Sequence, residues 1–234
     1  MRAVRGNLLK KYVTPHRSGK AYKAIYNAIL AGEYAPGTQL TERFIAEELG
    51  LSRTPVRHAL ARLASQGLVE EIPHVGVFVR KLEPDDVVEL LELRRVLEAG
   101  AARMAALKMT PAQSEAVLKL ARKTERLENA KDYVATRETE IRFHNLICTI
   151  AANGELAGVS DNVRVIFFSL CPKTVWLDIF PAGKGVGPNH VSVAEALACG
   201  DGRKAYDAMW DHIEDGINRF QASREAPDLA ASFL

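Results

Sequence analysis

The stretch from Thr41 to Arg80 constrains the fold more than any other part of the chain, because it reads as two short helices joined by a glycine and followed by two short strands. Thr41 is a good N-cap for Glu42–Leu49, and Gly50 ends that helix, since glycine enters the left-handed conformation of a helix terminus without penalty. Ser52 is expected to cap a third helix running to about Gln66, with Pro55 tolerated in a first turn whose amides have no helical acceptor. Upstream, Lys20 to Ala31 places Ala21, Ala24, Ile25, Ala28 and Ile29 on one helical face, and Gly32 and Pro36-Gly37 stop it. After Gly67, Leu68–Ile72 and Val77–Arg80 flank Pro73-His74-Val75-Gly76, the pattern of two strands around a glycine-containing turn, a wing.

Within the third helix Val56, Ala59, Leu60 and Leu63 share one stripe, whereas Arg53, Thr54 and Arg57 centre roughly 120° away and face solvent. Two arginines and a hydroxyl on a first turn suit base edges and phosphates in a major groove, because arginine donates two bonds to guanine. A solvated basic face is the plain alternative. The charge distribution bears on the choice. The formal net charge of +2 hides a split: residues 1–80 carry 12 Lys+Arg against 6 Asp+Glu, and the remainder carries 19 against 23, giving +6 and −4. A basic segment beside an acidic one points to a polyanion partner, since phosphate neutralisation dominates nucleic-acid affinity. The start of the chain, with Arg2, Arg5, Lys10, Lys11 and Arg17, reads either as an arm following phosphates or as plain disorder.

The acidic half shows helical periodicity and no alternating strand pattern. Pro84-Asp85-Asp86 opens a long helix with apolar residues Val87, Leu90, Leu91, Val96, Leu97, Ala101 and Ala105, ending near Leu107; Thr110-Pro111 opens another. Further helices are expected over about 132–152, 155–170, 190–199 and 201–223, and the Pro- and Gly-rich break from Cys171 to Pro188 is expected to be a loop bordering a pocket. Glu140 and His144 stand four residues apart on one helix, flanking the stripe of Phe143, Leu146, Ile147 and Ile150. His212 lies at the edge of the face formed by Met209, Ile213, Ile217 and Phe220. With His190, one carboxylate and three imidazoles suit zinc, nickel, manganese or iron with coordination positions left open. By spacing alone, a histidine beside an apolar face is more often a hydrogen-bonded core residue.

With 234 residues, 47% hydrophobic and 26% charged, the chain has room for two domains and is not a disordered or fibrous sequence. Three unpaired cysteines, at 148, 171 and 199, fit a reducing compartment, and Cys148 reads as a small core residue. No signal-peptide core and no apolar run of about 18 residues is evident, so a soluble cytoplasmic protein with no membrane contact is expected.

The run from Tyr34 to Val69, within a match over residues 20–80, resembles the GntR-type winged-helix repressors. The resemblance implies that Arg43, Arg53 and Arg57 contact operator DNA and that Gly76 sits at the wing tip; His58 stands where the family usually has Glu. Arg94–Glu98, Glu140–His144, Asn153, His190 and His212 resemble the FCD ligand-sensing domain of the FadR branch, an all-helical bundle often holding a metal through Asp-x-x-x-His and two later histidines. Carried over by position, the ligands are Glu140, in place of the usual Asp, His144, His190 and His212, and the cation would anchor a small organic acid effector. Arg94, Arg95, Arg142 and Arg164 are candidates for a second anionic group, Arg94 foremost because it lies one turn before Glu98.

The expected architecture is therefore mainly α. Residues 1–17 form a flexible basic arm, 18–81 a winged helix-turn-helix with a small β wing, 82–223 a helical antiparallel bundle for effector binding and dimerisation, and 224–234 a tail. The expected function is a ligand-responsive, homodimeric DNA-binding regulator, usually a repressor, on palindromic double-stranded DNA, and not an enzyme. Two rivals stay open: a metal-dependent enzyme with Glu140 as base, and a DNA-binding regulator whose cation is purely structural.

Overall fold

The computed structural model describes residues 17–171 and 190–223. Residues 1–16 of the expected basic arm, the break over 172–189 and the tail from 224 lie outside the described residues; Arg17, expected in the arm, opens the first helix. Two compact units meet in sequence between Leu82 and Glu83.

In the first unit, α1 (Arg17–Leu30), α2 (Glu42–Leu49) and α3 (Arg53–Ser65) precede β1 (Val69–Ile72) and β2 (Gly76–Val79). Its core is the expected one. Ala21, Ala24, Ile25, Ala28 and Ile29 of α1 are buried, as are Val56, Ala59, Leu60 and Leu63 of α3, and these two helices pack together. Thr41 Oγ1 accepts from the Phe44 amide at 3.3 Å, and Gly50 closes α2 at φ 64°. Ser52 occupies the N-cap position of α3 with extended backbone, but its hydroxyl makes no capping bond, so the turn alone sets this helix start. The strands are antiparallel, Val69 opposite Val79 and Ile72 opposite Gly76. Thr38 and Leu40 extend the wing through the bonds Val79 N–Thr38 O (2.9 Å) and Leu40 N–Val77 O (2.8 Å).

The second unit holds α4 (Pro84–Ala106), α5 (Pro111–Asn129), α6 (Tyr133–Ile150), α7 (Gly154–Leu170), α8 (His190–Ala198) and α9 (Gly202–Ser223). Local chemistry explains their starts. Thr110 and Gln113 form a reciprocal capping box at α5, with Pro111 in its first turn, while the Asp132 and Asn153 side chains accept from Ala135 N and Leu156 N. Ala99, Ala102 and Ala105 of α4, Val117 and Ala121 of α5, Phe143 and Ile147 of α6, Val193 and Leu197 of α8, and Met209 and Ile213 of α9 share one core. Small residues let α4 and α9 approach closely: a Cβ on Gly202 would lie 3.1 Å from the Arg103 carbonyl oxygen.

One element departs from expectation. The inward face of α4 carries Arg94 and Glu98, both buried, while Val96, expected inside, is 54% exposed. The charged pair sits inside because it is neutralised there by partners on other helices. Among the described residues, no helix is long and apolar enough to cross a membrane.

Candidate metal centre and nucleic-acid face

Three helices of the bundle bring Glu140, His144, His190 and His212 together, each offering one ligand atom and all four atoms lying within 4.8 Å of one another. Helical spacing puts Glu140 and His144 on one face of α6, His190 is the first residue of α8, and His212 projects from the inner face of α9. All four are at most 5% exposed. The imidazole centroids are 4.5 Å apart for His190 and His212 and 5.5 Å apart for His144 and His212. Phe143 packs edge-on against His144 and His190, walling one side with apolar surface.

Burial governs the protonation of this cluster. It pushes the Glu140 carboxyl up to about 8; Arg94 opposes that rise, while Glu128 and Glu98 add to it. Burial lowers His144 in spite of the pull of Glu98, and it lowers His190 well below the usual imidazole range, with His212 and His144 adding to the effect. The His144 and His190 imidazoles are therefore neutral near pH 7, the form that offers a lone pair to a cation. Glu140 Oε2, His144 Nε2 and His190 Nε2 make no hydrogen bond within the protein, and neither do His144 Nδ1 and Glu98 Oε2, which lie 2.5 Å apart as a close polar contact. Buried donors and acceptors without partners are costly, and the first three converge on one point, so the residues present fit a divalent metal.

Behind the cluster lies a second set of charges. Glu98 Oε1 accepts from Arg94 Nε at 3.0 Å and from Arg164 Nη1 at 3.3 Å, and Glu98 Oε2 lies 2.5 Å from His144 Nδ1. Burial alone would raise the Glu98 carboxyl, but Arg94, His144 and Arg164 together hold it well below the carboxylate range. Arg164 Nη1 also donates to Cys148 Sγ at 3.3 Å, which places this cysteine in the core as a hydrogen-bonded residue.

On the first unit, Arg43, Arg53, Thr54 and Arg57 are exposed, and His58 beside them is exposed as well. Arg43 pairs with Glu47 at 3.1 Å, one turn along α2. Arg57 is bidentate on Glu42, with Nε–Oε1 2.6 Å and Nη2–Oε2 2.9 Å, which points the guanidinium across the helix-turn-helix face. Gly76 has φ 142° and follows the three-residue turn Pro73–Val75, in which Val75 N donates to Ile72 O. A Cβ on Gly76 would lie 2.7 Å from Gln39 Nε2, an atom that donates to Val75 O.

Residues 17–79 match the family of bacterial regulatory proteins of the gntR type, and residues 89–215 match the FCD domain. The chain is a GntR-family transcriptional regulator with an FCD domain. It is 38% identical over 139 residues to an uncharacterized HTH-type transcriptional regulator in the TAR-I ttuE-ttuC' intergenic region of Agrobacterium vitis, covering 58% of this chain and 81% of that one. It is 29% identical over 188 residues to a probable D-xylose utilization operon transcriptional repressor of Paenarthrobacter nicotinovorans, 79% of this chain and 80% of that one. The crystal structure of a GntR regulator from Rhodococcus sp. RHA1 shares the fold with a TM-score of 0.68, at 23% identity and over 88% of this chain and 98% of that one. The family and these relatives are transcriptional regulators, not enzymes, and the winged helix makes this chain a DNA-binding one.

The structure treats the regulator's arginines differently from one another. Arg94 and Arg164 lie inside the bundle, joined through Glu98 to the metal-type cluster. Arg142, read from sequence as an effector contact, is not brought there: it is exposed and pairs with Glu138 at 3.7 Å one turn back on α6. Arg95 pairs with Glu214 and lies over the Trp210 ring. Glu98 and Glu128, whose Oε1 is 3.8 Å from His190 Nδ1, were not picked out from sequence as site residues. For Glu98 the signal was its spacing from Arg94; for Glu128, on the Glu- and Lys-rich α5, local sequence held none.

Proposed function

We propose that this regulator is a repressor that acts as a homodimer on a palindromic operator, in the cytoplasm. In this reading its FCD domain holds a divalent transition metal, and on that metal a small organic acid whose binding changes operator affinity. Arg43, Arg53, Thr54 and Arg57 would read each half-site and Gly76 would let the wing tip approach the backbone, since two symmetric recognition helices fit half-sites about one helical turn apart. Glu140, His144, His190 and His212 would hold zinc, nickel, manganese or iron, and the cation would supply an electrostatic anchor for a hard oxygen ligand. Arg94 and Arg164 share the same interior and are the arginines placed to hold a second anionic group. The observation that carries this reading is the convergence of four buried ligand atoms within 4.8 Å, several of them without any hydrogen bond in the protein. An acid that binds the two DNA affinity states unequally shifts their populations by that difference, and by no more.

Elemental analysis coupled to native mass spectrometry tests the site. About one transition metal per chain is expected, lost in the double variant His144→Ala/His190→Ala; metal retained by that variant would assign other ligands. A protein that stays metal-free after loading with zinc, nickel and manganese would refute the metal reading. Operator binding followed by fluorescence anisotropy, with small mono- and dicarboxylic acids added, tests the rest. If chelation lowers thermal stability while no acid moves operator affinity, the cation is structural and the effector reading fails.

A further inference from the structure

We propose that Glu98 is the positioning residue of the metal centre: its carboxylate fixes His144 with the proton on Nδ1, leaving the Nε2 lone pair facing Glu140, His190 and His212. The inference rests on the four-residue metal site proposed above and adds to it a role for a residue outside the ligand set.

The two nitrogens of His144 face different acids. Nδ1 lies 2.5 Å from Glu98 Oε2, and Nε2 lies 3.7 Å from Glu140 Oε1. The Glu98 side chain is 2% exposed, and its two oxygens divide their work: Oε1 takes both guanidiniums, from Arg94 at 3.0 Å and Arg164 at 3.3 Å, while Oε2 is left to the imidazole. Two arginines keep this carboxylate ionised, and an ionised carboxylate only accepts. At 2.5 Å an imidazole lone pair would be repelled by it, so the proton of neutral His144 belongs on Nδ1. A neutral ring carries one proton, and Nε2 is then bare. Carboxylates behind metal-bound histidines set tautomer and ring orientation in this way, and removing one typically weakens metal binding about 10–100-fold. Glu98 stands outside the ligand set, because its Oε1 is held by Arg94 and Arg164 and its Oε2 lies against Nδ1, the ring nitrogen opposite Nε2. Glu128 stands in the matching place behind His190, but its 3.8 Å separation is beyond a hydrogen bond, so the assignment is confined to Glu98.

The test uses the full chain, labelled with nitrogen-15 and stripped of metal by chelation. Long-range proton–nitrogen correlation of the histidine rings, with His144 assigned by its loss in His144→Gln, reads the tautomer directly. The expected result is protonated Nδ1 in the unsubstituted protein. In Glu98→Gln the amide oxygen keeps the arginines and the amide nitrogen donates to Nδ1, so the proton moves to Nε2; nickel affinity measured by competition with a chelator should fall about 10–100-fold. Protonated Nε2 in the unsubstituted protein overturns the proposal, as does a folded Glu98→Gln protein that binds nickel as tightly as the original. If Glu98→Gln does not fold, the spectrum of the unsubstituted protein alone decides. A chain that shows protonated Nδ1 on His144 but binds no nickel would sink the metal site and leave the Glu98–His144 assignment standing, so the two failures are distinct.

Discussion

Stripped of metal, the bundle is expected to lose stability as pH rises from about 7 to about 8.5, and the loss is traceable to one carboxyl. Burial raises Glu140 from 4.5 to about 8. The folded chain therefore holds a proton at Glu140 that the unfolded chain releases in acid. The resulting destabilisation is absent below the unfolded value of 4.5, grows across the interval and is complete above about 8. Its full extent is about 5 kcal/mol, of which about 1 kcal/mol accrues between about pH 7 and about pH 8.5. His144 and His190, lowered from 6.5 by burial, add stability as pH rises through 6.5, so most of that gain is complete by about pH 7. Cys148 and Cys171, raised from 9.0 by burial, act in the opposite direction and remove stability as pH climbs toward 9. The histidine and cysteine contributions run in opposite directions, and Glu128, also raised by burial, acts in the same direction as Glu140, so a net loss of about 1 kcal/mol is expected.

A bound cation reverses the sign of this effect. Coordination holds Glu140 ionised, so metal binding releases a proton below about pH 8 and the pH-dependent loss vanishes in the loaded protein. Urea unfolding at several pH values, with chelator or with nickel, measures both arms. Trp210 lies on α9, so its fluorescence reports on the helical unit. A loss of about 1 kcal/mol moves the midpoint by roughly half a molar in urea. A chelated protein whose midpoint is flat or rises between about pH 7 and about pH 8.5 would refute the assignment of Glu140 as the buried, proton-holding ligand.

Two further outcomes are expected on the first unit. Arg57→Ala should weaken operator binding roughly ten- to a hundred-fold by anisotropy at matched salt, through loss of a two-bond contact, with the melting temperature unchanged because its pair with Glu42 is solvent-exposed; unchanged operator affinity would reject the assigned contact. Gly50→Ala should cost about 1 kcal/mol in thermal unfolding, the penalty of holding a Cβ at φ 64°, because nothing lies within 4 Å of the added atom. A loss several times larger would show that crowding, not backbone conformation, demands the glycine.

What could be read from sequence and what could not divide along one physical line. Periodicity and capping are local, so the helices of both units, the wing and the core stripes of α1 and α3 were legible, with bounds to within about three residues where both ends were read. So was the Glu140–His144 pair, because a spacing of four on one helix is itself a statement about geometry. The face of α4 was not. Its buried residues Val87, Leu91, Arg94, Glu98, Ala101 and Ala105 recur at alternating steps of four and three, a regular inward stripe in which two positions are charged. A search for apolar residues skips those two and substitutes Val96, which the structure leaves 54% exposed. Charge on an inward stripe is tolerable only when it is paired and its polar atoms are met, and part of that comes from elsewhere: Arg164, 66 residues away on α7, donates to Glu98, and the His144 ring of α6 lies against its other oxygen. No local window holds that information. Equally, Arg142 had the right residue type near the right helix, yet a rotation of two residues from His144 turns its side chain to solvent. The same buried charges that obscured the rotation of α4 join it to the metal-type cluster, since an Arg–Glu–Arg set this deep in the bundle is stabilised by the imidazole that it also orients.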